Sequence, residues 1–299
     1  PQVTPTSFAS AAAADAAQQG SGGTGGAAAH DSAPAAPRRS VYFFGNGAAD
    51  GTRDMKAILG GKGANLAEMT NLGVPVPPGF TIACDVCITY LRDGGYPAPL
   101  RDEVAANLRR LEEVTGKGFG DPANPLLVSV RSGAPISMPG MMETILNLGL
   151  NDTAVEGLAR RSGDARFAYD SYRRFIQMYA DVVLGVPMHR FERLLSTKRM
   201  IANVEDDAHL SADALRNLCE EYKGVVRAST GAEFPMDPLV QLYGAIEAVW
   251  TSWTLKKAVD YRRVNGIAET LGTAVNVQAM VFGNMGDDSG TGVAFTRDP

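Results

Sequence analysis

The segment Ser129-Val-Arg-Ser-Gly-Ala-Pro-Ile-Ser-Met-Pro-Gly-Met-Met-Glu-Thr144 limits what this chain can fold into more than any other. It follows a short apolar run of strand type, Pro125-Leu-Leu-Val128, and precedes a second, Ile145-Leu-Asn-Leu-Gly149. Two strands joined by a loop are expected, with Arg131 where the first strand opens into that loop. Gly133 and Gly140 free the backbone to fold over a ligand and present N–H groups to it. Met138, Met141 and Met142 give the loop a soft apolar underside, suited to closing over something flat. The layout reads as a lid over a polyphosphate with Arg131 as the anion anchor. Taken singly, the methionines fit core packing and the arginine fits a pairing with a core carboxylate.

A second glycine cluster, Gly60-Gly-Lys-Gly63, precedes a run in which Leu66, Met69 and Leu72 recur at helical spacing. A helix is expected from Gly63 onward, with Gly73 as its stop. Glycines at a helix entrance let N–H groups and the positive helix end face an anion, and Lys62 adds a mobile charge. The cluster is not a Walker A motif, because Lys56 and Gly63 stand where that motif needs Gly and Ser or Thr. Alone it is a glycine-rich helix entrance with a solvated lysine. Paired with Arg131 beyond a second glycine loop, it supplies two cations on two flexible loops, which is what a triphosphate requires.

The run Thr273-Ala-Val-Asn-Val-Gln-Ala-Met-Val-Phe282 alternates like a strand. Val275, Val277, Ala279 and Val281 form a core face; Asn276, Gln278, Met280 and Phe282 form the other. That second face is either a partly exposed sheet surface or the wall of a cleft. In the latter case Gln278 bonds a purine and Met280 packs on its ring. Turn residues at 283–290 and a strand at 291–297 complete an expected hairpin.

The remaining sequence reads as mixed α and β, an α+β fold. Residues 1–39 hold almost no large apolar side chain and read as a disordered Ala/Gly/Ser/Pro-rich leader. A plain flexible leader and the remnant of an organelle-targeting peptide both fit, so cytoplasm and plastid stay open. A strand at Val41-Tyr-Phe-Phe44, a connector at Pro75–Phe80 and an amphipathic helix at Leu100–Glu113, with Val104, Leu108 and Leu111 inward, make up a first part over 40–150. Helical periodicity then runs through 151–236, capped at Asn151 and Ser211, as an inserted helical subdomain. A long helix over about 237–265 carries Trp250 and Trp253 and opens a return segment, 237–299. Pro1 at the start, and a stop at Pro299 just after a strand, read as a piece of a longer protein.

Composition narrows the function. A formal net charge of −5 argues against a general nucleic-acid or lipid-surface binder. The three cysteines, Cys84, Cys87 and Cys219, argue against a disulfide framework and fit a reducing compartment. Cys84-Asp-Val-Cys87 matches C-x-x-C in letters but reads as two half-buried thiols one turn apart on a helix. His189 and His209 have no visible acid or nucleophile partner, and Asp287-Asp288 reads as turn polarity. No set of carboxylates suggests a metal site.

Several motifs together closely resemble the pyruvate, phosphate dikinase family. They are Gly60-Gly-Lys-Gly-Ala-Asn-Leu66, Val128-Ser-Val-Arg-Ser-Gly133, Met138-Pro-Gly-Met-Met-Glu-Thr144-Ile-Leu-Asn-Leu-Gly149, Tyr179-Ala-Asp-Val-Val-Leu-Gly185 and Gly290-Thr-Gly-Val-Ala-Phe-Thr-Arg297. The resemblance covers about residues 41–299. It implies an ATP-grasp nucleotide-binding domain that interconverts ATP, phosphate and pyruvate with AMP, pyrophosphate and phosphoenolpyruvate as part of a larger enzyme. It also implies Mg²⁺ and a monovalent cation, a central phosphohistidine domain and a pyruvate-binding barrel in the same chain, and a homodimer. By this resemblance Lys62 and Arg131 contact the ATP phosphates, and the loop at Gly140 to Met142 closes over the nucleotide. Thr144 then lies at the loop's far hinge, and Gln278 to Val281 form the adenine-side strand. The family's acceptor histidine has no counterpart among His30, His189 and His209, and its metal ligands are expected beyond residue 299. This piece alone is therefore not expected to complete the reaction. Two rivals stand beside this reading: phosphoenolpyruvate synthase, which uses water in place of phosphate, and a non-catalytic nucleotide-binding module.

Overall fold

The computed structural model describes residues 39–286 and 288–294. The leader expected over 1–39 thus lies almost wholly outside the described residues.

One antiparallel sheet organises the molecule. Its strands are β1 (Val41–Gly45), β2 (Ala48–Ala49), β3 (Gly79–Ile82), β4 (Val128–Gly133), β5 (Thr144–Leu148) and β6 (Ala274–Ala279), in the order β2-β1-β3-β6-β4-β5. Every neighbouring pair is antiparallel. The strand latest in the chain therefore sits in the middle, between β3 and β4. It joins segments nearly two hundred residues apart, as the bond from Thr81 Oγ1 to Asn276 Oδ1 at 2.9 Å illustrates.

Helices pack on the sheet and on one another: α1 (Lys56–Asn71), α2 (Cys84–Asp93), α3 (Leu100–Thr115), α4 (Ala154–Ser162), α5 (Ala165–Val182), α6 (His189–Ala202), α7 (Ala212–Thr230), α8 (Pro238–Ser252) and α9 (Lys256–Val264). Their starts follow local chemistry. Asn151 Oδ1 accepts from the N–H groups of Thr153 and Ala154, and the side chains of Asp164, Ser211 and Asp237 cap α5, α7 and α8. The inward face of α3 is the expected one, with Val104, Leu108 and Leu111 buried beside Leu100. One hydrophobic cluster runs from Phe80 and Val128 on the sheet through Phe175 of α5 and Tyr222 of α7 to Trp250 of α8. Among the described residues no helix is long and apolar enough to cross a membrane.

Several expectations need correction. Helix α1 begins at Lys56, not Gly63, and buries Leu59, Gly63, Ala64, Ala67 and Thr70. Leu66, Met69 and Leu72 do not form its inner face; Leu72 is 72% exposed. Small residues take that role because the helix lies too close to the sheet for larger ones. A β-carbon on Gly63 would meet the Thr81 side chain at 2.8 Å. The long helix expected over 237–265 is two, α8 and α9. The Ser252 and Thr254 hydroxyls donate to the carbonyls of Val249 and Thr251, and the chain turns at Trp253 before Leu255 takes extended geometry. Arg131 lies inside β4 rather than after it. Strand β6 stops at Ala279, so Val281, expected in the core, is 67% exposed. Residues 291–294 form no strand, and the rest of the expected 291–297 strand lies outside the described residues.

Candidate functional site

The two glycine clusters meet each other. Gly60 interrupts α1 with φ 68° and ψ 176°. A β-carbon there would fall 1.5 Å from the Gly133 carbonyl oxygen. The neighbouring Gly61 N–H donates to the Ala134 carbonyl at 3.0 Å. The first task of these glycines is thus a backbone-to-backbone approach between the bent helix and the end of β4. Buried groups hold Gly133 from beneath. Its N–H donates to Thr273 Oγ1 at 3.2 Å, and its carbonyl accepts from Cys84 Sγ at 4.0 Å.

Above this junction opens a cleft of ≈ 580 Å³, within the usual range for small-molecule sites. Lys56 and Lys62 line it from α1 together with Asn65. Ser132 and Gly133 line it from β4, and Gly140, Met142 and Thr144 from the loop and the start of β5. Among the described residues no carboxylate lines the cleft. Burial lowers the Lys62 pKa below the ordinary lysine value, and the Arg131 guanidinium lowers it further. Among the described residues neither Lys62 nor Arg131 forms an ion pair. Two cations thus raise each other's energy beside an opening, with no counter-charge among the described residues.

The expected residues fall into two groups. Lys62, Gly133, Gly140, Met142 and Thr144 share the cleft. Arg131 is not among the residues lining the cleft; it stands opposite Thr144, which does line it, in the β4–β5 register, and its charge acts on Lys62. Met141 packs against the core; Met138 is largely buried in it but lines the cleft too, so Met138 and Met142 both give the loop an apolar face toward the cleft. Met280 and Val281 line a separate pocket of ≈ 210 Å³ with Leu127, Lys117 and Arg161. Gln278 borders neither pocket; its amide donates to the Pro77 carbonyl at 3.0 Å. Lys56, Asn65 and Ser132 were not anticipated. Lys56 was findable, since it lies one helical turn before the kink at Gly60.

The remaining candidates carry no site. Cys84 and Cys87 are fully buried on α2, and burial pushes their thiols up to about 12 and about 11. His189 and His209 are exposed. No group of three His, Cys, Asp or Glu among the described residues could hold a metal ion.

A family model described as the pyruvate phosphate dikinase AMP/ATP-binding domain matches residues 56–111 and 92–299. The chain belongs to the pyruvate, phosphate dikinase family. Its mixed α+β architecture is the ATP-grasp type of that domain. The chain is 54% identical over 264 residues to pyruvate, phosphate dikinase of Giardia intestinalis, covering 87% of this chain and 30% of the relative. With the pyruvate, phosphate dikinase of Rhizobium meliloti (strain 1021) it shares 55% over 260 residues, 87% of this chain and 29% of the relative. With pyruvate, phosphate dikinase 1, chloroplastic, of Arabidopsis thaliana it shares 52% over 270 residues, 90% of this chain and 28% of the relative. The chain thus spans less than a third of these dikinases and lies within their AMP/ATP-binding part.

Proposed function

We propose that the cleft between α1 and the β4–β5 loop binds the phosphate tail of ATP, with Lys62 and Arg131 as its phosphate-contacting cations. The carrying observation is their unneutralised state: burial and then the Arg131 charge depress the Lys62 pKa, and among the described residues no carboxylate lines the cleft. A triphosphate supplies the missing negative charge. Gly140 brings a backbone N–H group to it, the Gly133 backbone forms part of its floor, and Met142 and Thr144 frame the closing side, with Met141 behind them against the core. The base belongs at the far end of β6, against Met280 and Val281, with Gln278 steadying the strand beneath. The six residues of β6 span roughly 17 Å at about 3.4 Å per residue, the scale of an extended nucleoside triphosphate.

In the complete protein the same site would position ATP for attack by a histidine of another domain. The overall reaction converts ATP, phosphate and pyruvate to AMP, pyrophosphate and phosphoenolpyruvate. Phosphoryl transfer asks the protein chiefly for alignment and for positive charge near the oxygens on which charge builds. Lys62 and Arg131 are suited to that work. Mg²⁺ would neutralise further phosphate charge, but among the described residues the cleft offers it no carboxylate. The division into 40–150, a helical insert over 151–236 and a return segment over 237–299 belongs to the same proposal.

Calorimetric titration of the chain with ATP tests the reading. Lys62→Ala and Arg131→Ala should each weaken binding by about tenfold or more, equal to about 1.4 kcal/mol. Unchanged affinity in both would leave a solvated lysine and a structural arginine. In the complete protein, Arg131→Ala should cut single-turnover phosphorylation of the histidine by orders of magnitude.

A further inference from the structure

Asn276 is the most deeply placed polar group beside the two cations. It stands in the centre of β6, directly opposite Arg131 on one side and Thr81 on the other. Residues facing each other across antiparallel strands project to the same side of the sheet. Thr81, Asn276, Arg131 and Thr144 therefore form one row running from beneath α1 to the cleft. The residue is 2% exposed. Its amide oxygen accepts from Thr81 Oγ1 at 2.9 Å, while its Nδ2 is buried with no hydrogen-bond partner.

The amide occupies space that only glycines leave open. A β-carbon on Gly133 would lie 2.5 Å from Nδ2 and 3.6 Å from the Lys62 β-carbon. A β-carbon on Gly63 would lie 3.1 Å from Oδ1. Asn276 is thus wedged between the two glycine backbones that flank Lys62. The charged and titratable groups around Lys62 are Arg131 from β4, Lys56 from its own helix and, under Gly133, the Cys84 thiol from α2. The two cationic side chains among them can only donate hydrogen bonds. An unmade buried donor normally costs stability, so its retention here calls for an acceptor that arrives from outside.

We propose that Asn276 is a positioning residue of the cleft: clamped through Thr81, it sets the approach of Lys62 to β4 and aims a donor, not a negative charge, at the Lys62–Gly133 junction, leaving the two cations to a polyanion. This rests on the nucleotide reading above and adds to it a buried group that touches neither cation's head. An aspartate at this position would keep the size and reverse the electrostatics, offering Lys62 and Arg131 an internal partner.

The test is a titration of the chain, labelled with ¹⁵N-asparagine and ¹⁵N-glycine, with inorganic tripolyphosphate and with ATP. The Asn276 side-chain NH₂ signals are identified by their loss in Asn276→Ser. They should move downfield as the anion saturates the site, together with the Gly133 amide. In parallel, Asn276→Asp should weaken ATP binding by about tenfold or more. The alkaline limb of its affinity profile should also move to higher pH, because a carboxylate restores the Lys62 charge. Loss of packing alone would weaken binding without moving that limb. If the Gly133 signal responds while the Asn276 amide stays still, the proposal fails and the nucleotide site stands. If no signal responds to either ligand, both fail. Should Asn276→Asp not fold, the wild-type titration decides.

Discussion

Lys62 and Arg131 show how a residue pair can be held ready for a ligand at the expense of the empty protein. Burial first, and then the Arg131 charge, lower the Lys62 pKa in the folded state. The sign follows directly. Below the lowered pKa the folded protein bears the full penalty of a charged Lys62. As pH rises from there toward the ordinary lysine value, the folded state releases its proton before the unfolded state does. This group's contribution therefore makes the empty protein relatively more stable across that window. A bound polyphosphate reverses the effect, so ATP binding within the window should be accompanied by proton uptake. Calorimetry in buffers of different ionisation enthalpy measures it; uptake should disappear in Lys62→Ala and shrink in Arg131→Ala. Zero uptake in the parent chain would mean the anion does not meet Lys62. At this scale the sequence was informative, because a lysine amid glycines and an arginine before Ser-Gly are local patterns. Asn276 was legible only as a strand residue, since its role depends on two glycines distant in the chain.

At the scale of elements, the legible parts were those whose buried face is made of large side chains. Strand β1 and the inward stripe of α3 follow from hydrophobic spacing. Helix α1 departs from its expected face because much of what it buries is small, Gly60, Gly63, Ala64 and Ala67, residues that periodicity underweights but close packing requires. The bend at Gly60 carries the clearest consequence. Its φ of 68° and ψ of 176° belong to a region essentially restricted to glycine, and a β-carbon there would fall 1.5 Å from the Gly133 oxygen. Gly60→Ala should therefore cost about 1–3 kcal/mol in urea denaturation from backbone strain. It should also weaken ATP binding by separating α1 from β4. An equal test lies at the other end of β5. There the buried Gln241 of α8 accepts from the Gly149 N–H at 3.2 Å and donates to the Leu150 and Pro235 carbonyls at 2.9 and 2.8 Å. Gln241→Leu keeps the bulk but orphans those groups, and should destabilise by about 1–3 kcal/mol with little change in nucleotide affinity.

At the scale of the whole molecule, the insertion of β6 between β3 and β4 makes the last described strand the centre of the sheet. No local pattern could announce that, because it depends on pairing between segments far apart in sequence. Its effect is that the sheet closes only when the helical stretch between β5 and β6 has folded back. The hydrophobic cluster joins the two regions through α5 and α8. Whether the helices between β5 and β6 nevertheless melt by themselves can be read from the three cysteines. Cys84 and Cys87 lie in α2 beside the sheet, and Cys219 lies in α7 among the helices. Burial raises all three thiol pKa values, Cys84 to about 12 and Cys87 to about 11, so the native chain should resist thiol reagents at pH 8. In increasing urea, a shared core predicts that all three become reactive with one midpoint, coincident with loss of helical circular dichroism. Saturating ATP at 100 times its Kd should shift that common midpoint upward by the equivalent of about 2.7 kcal/mol. Labelling of Cys219 at lower urea than Cys84 and Cys87 would instead mean that the helices form their own cooperative unit. In that event ATP should protect the sheet-side thiols and leave Cys219 exposed, because the cleft is built from α1, β4 and the loop before β5.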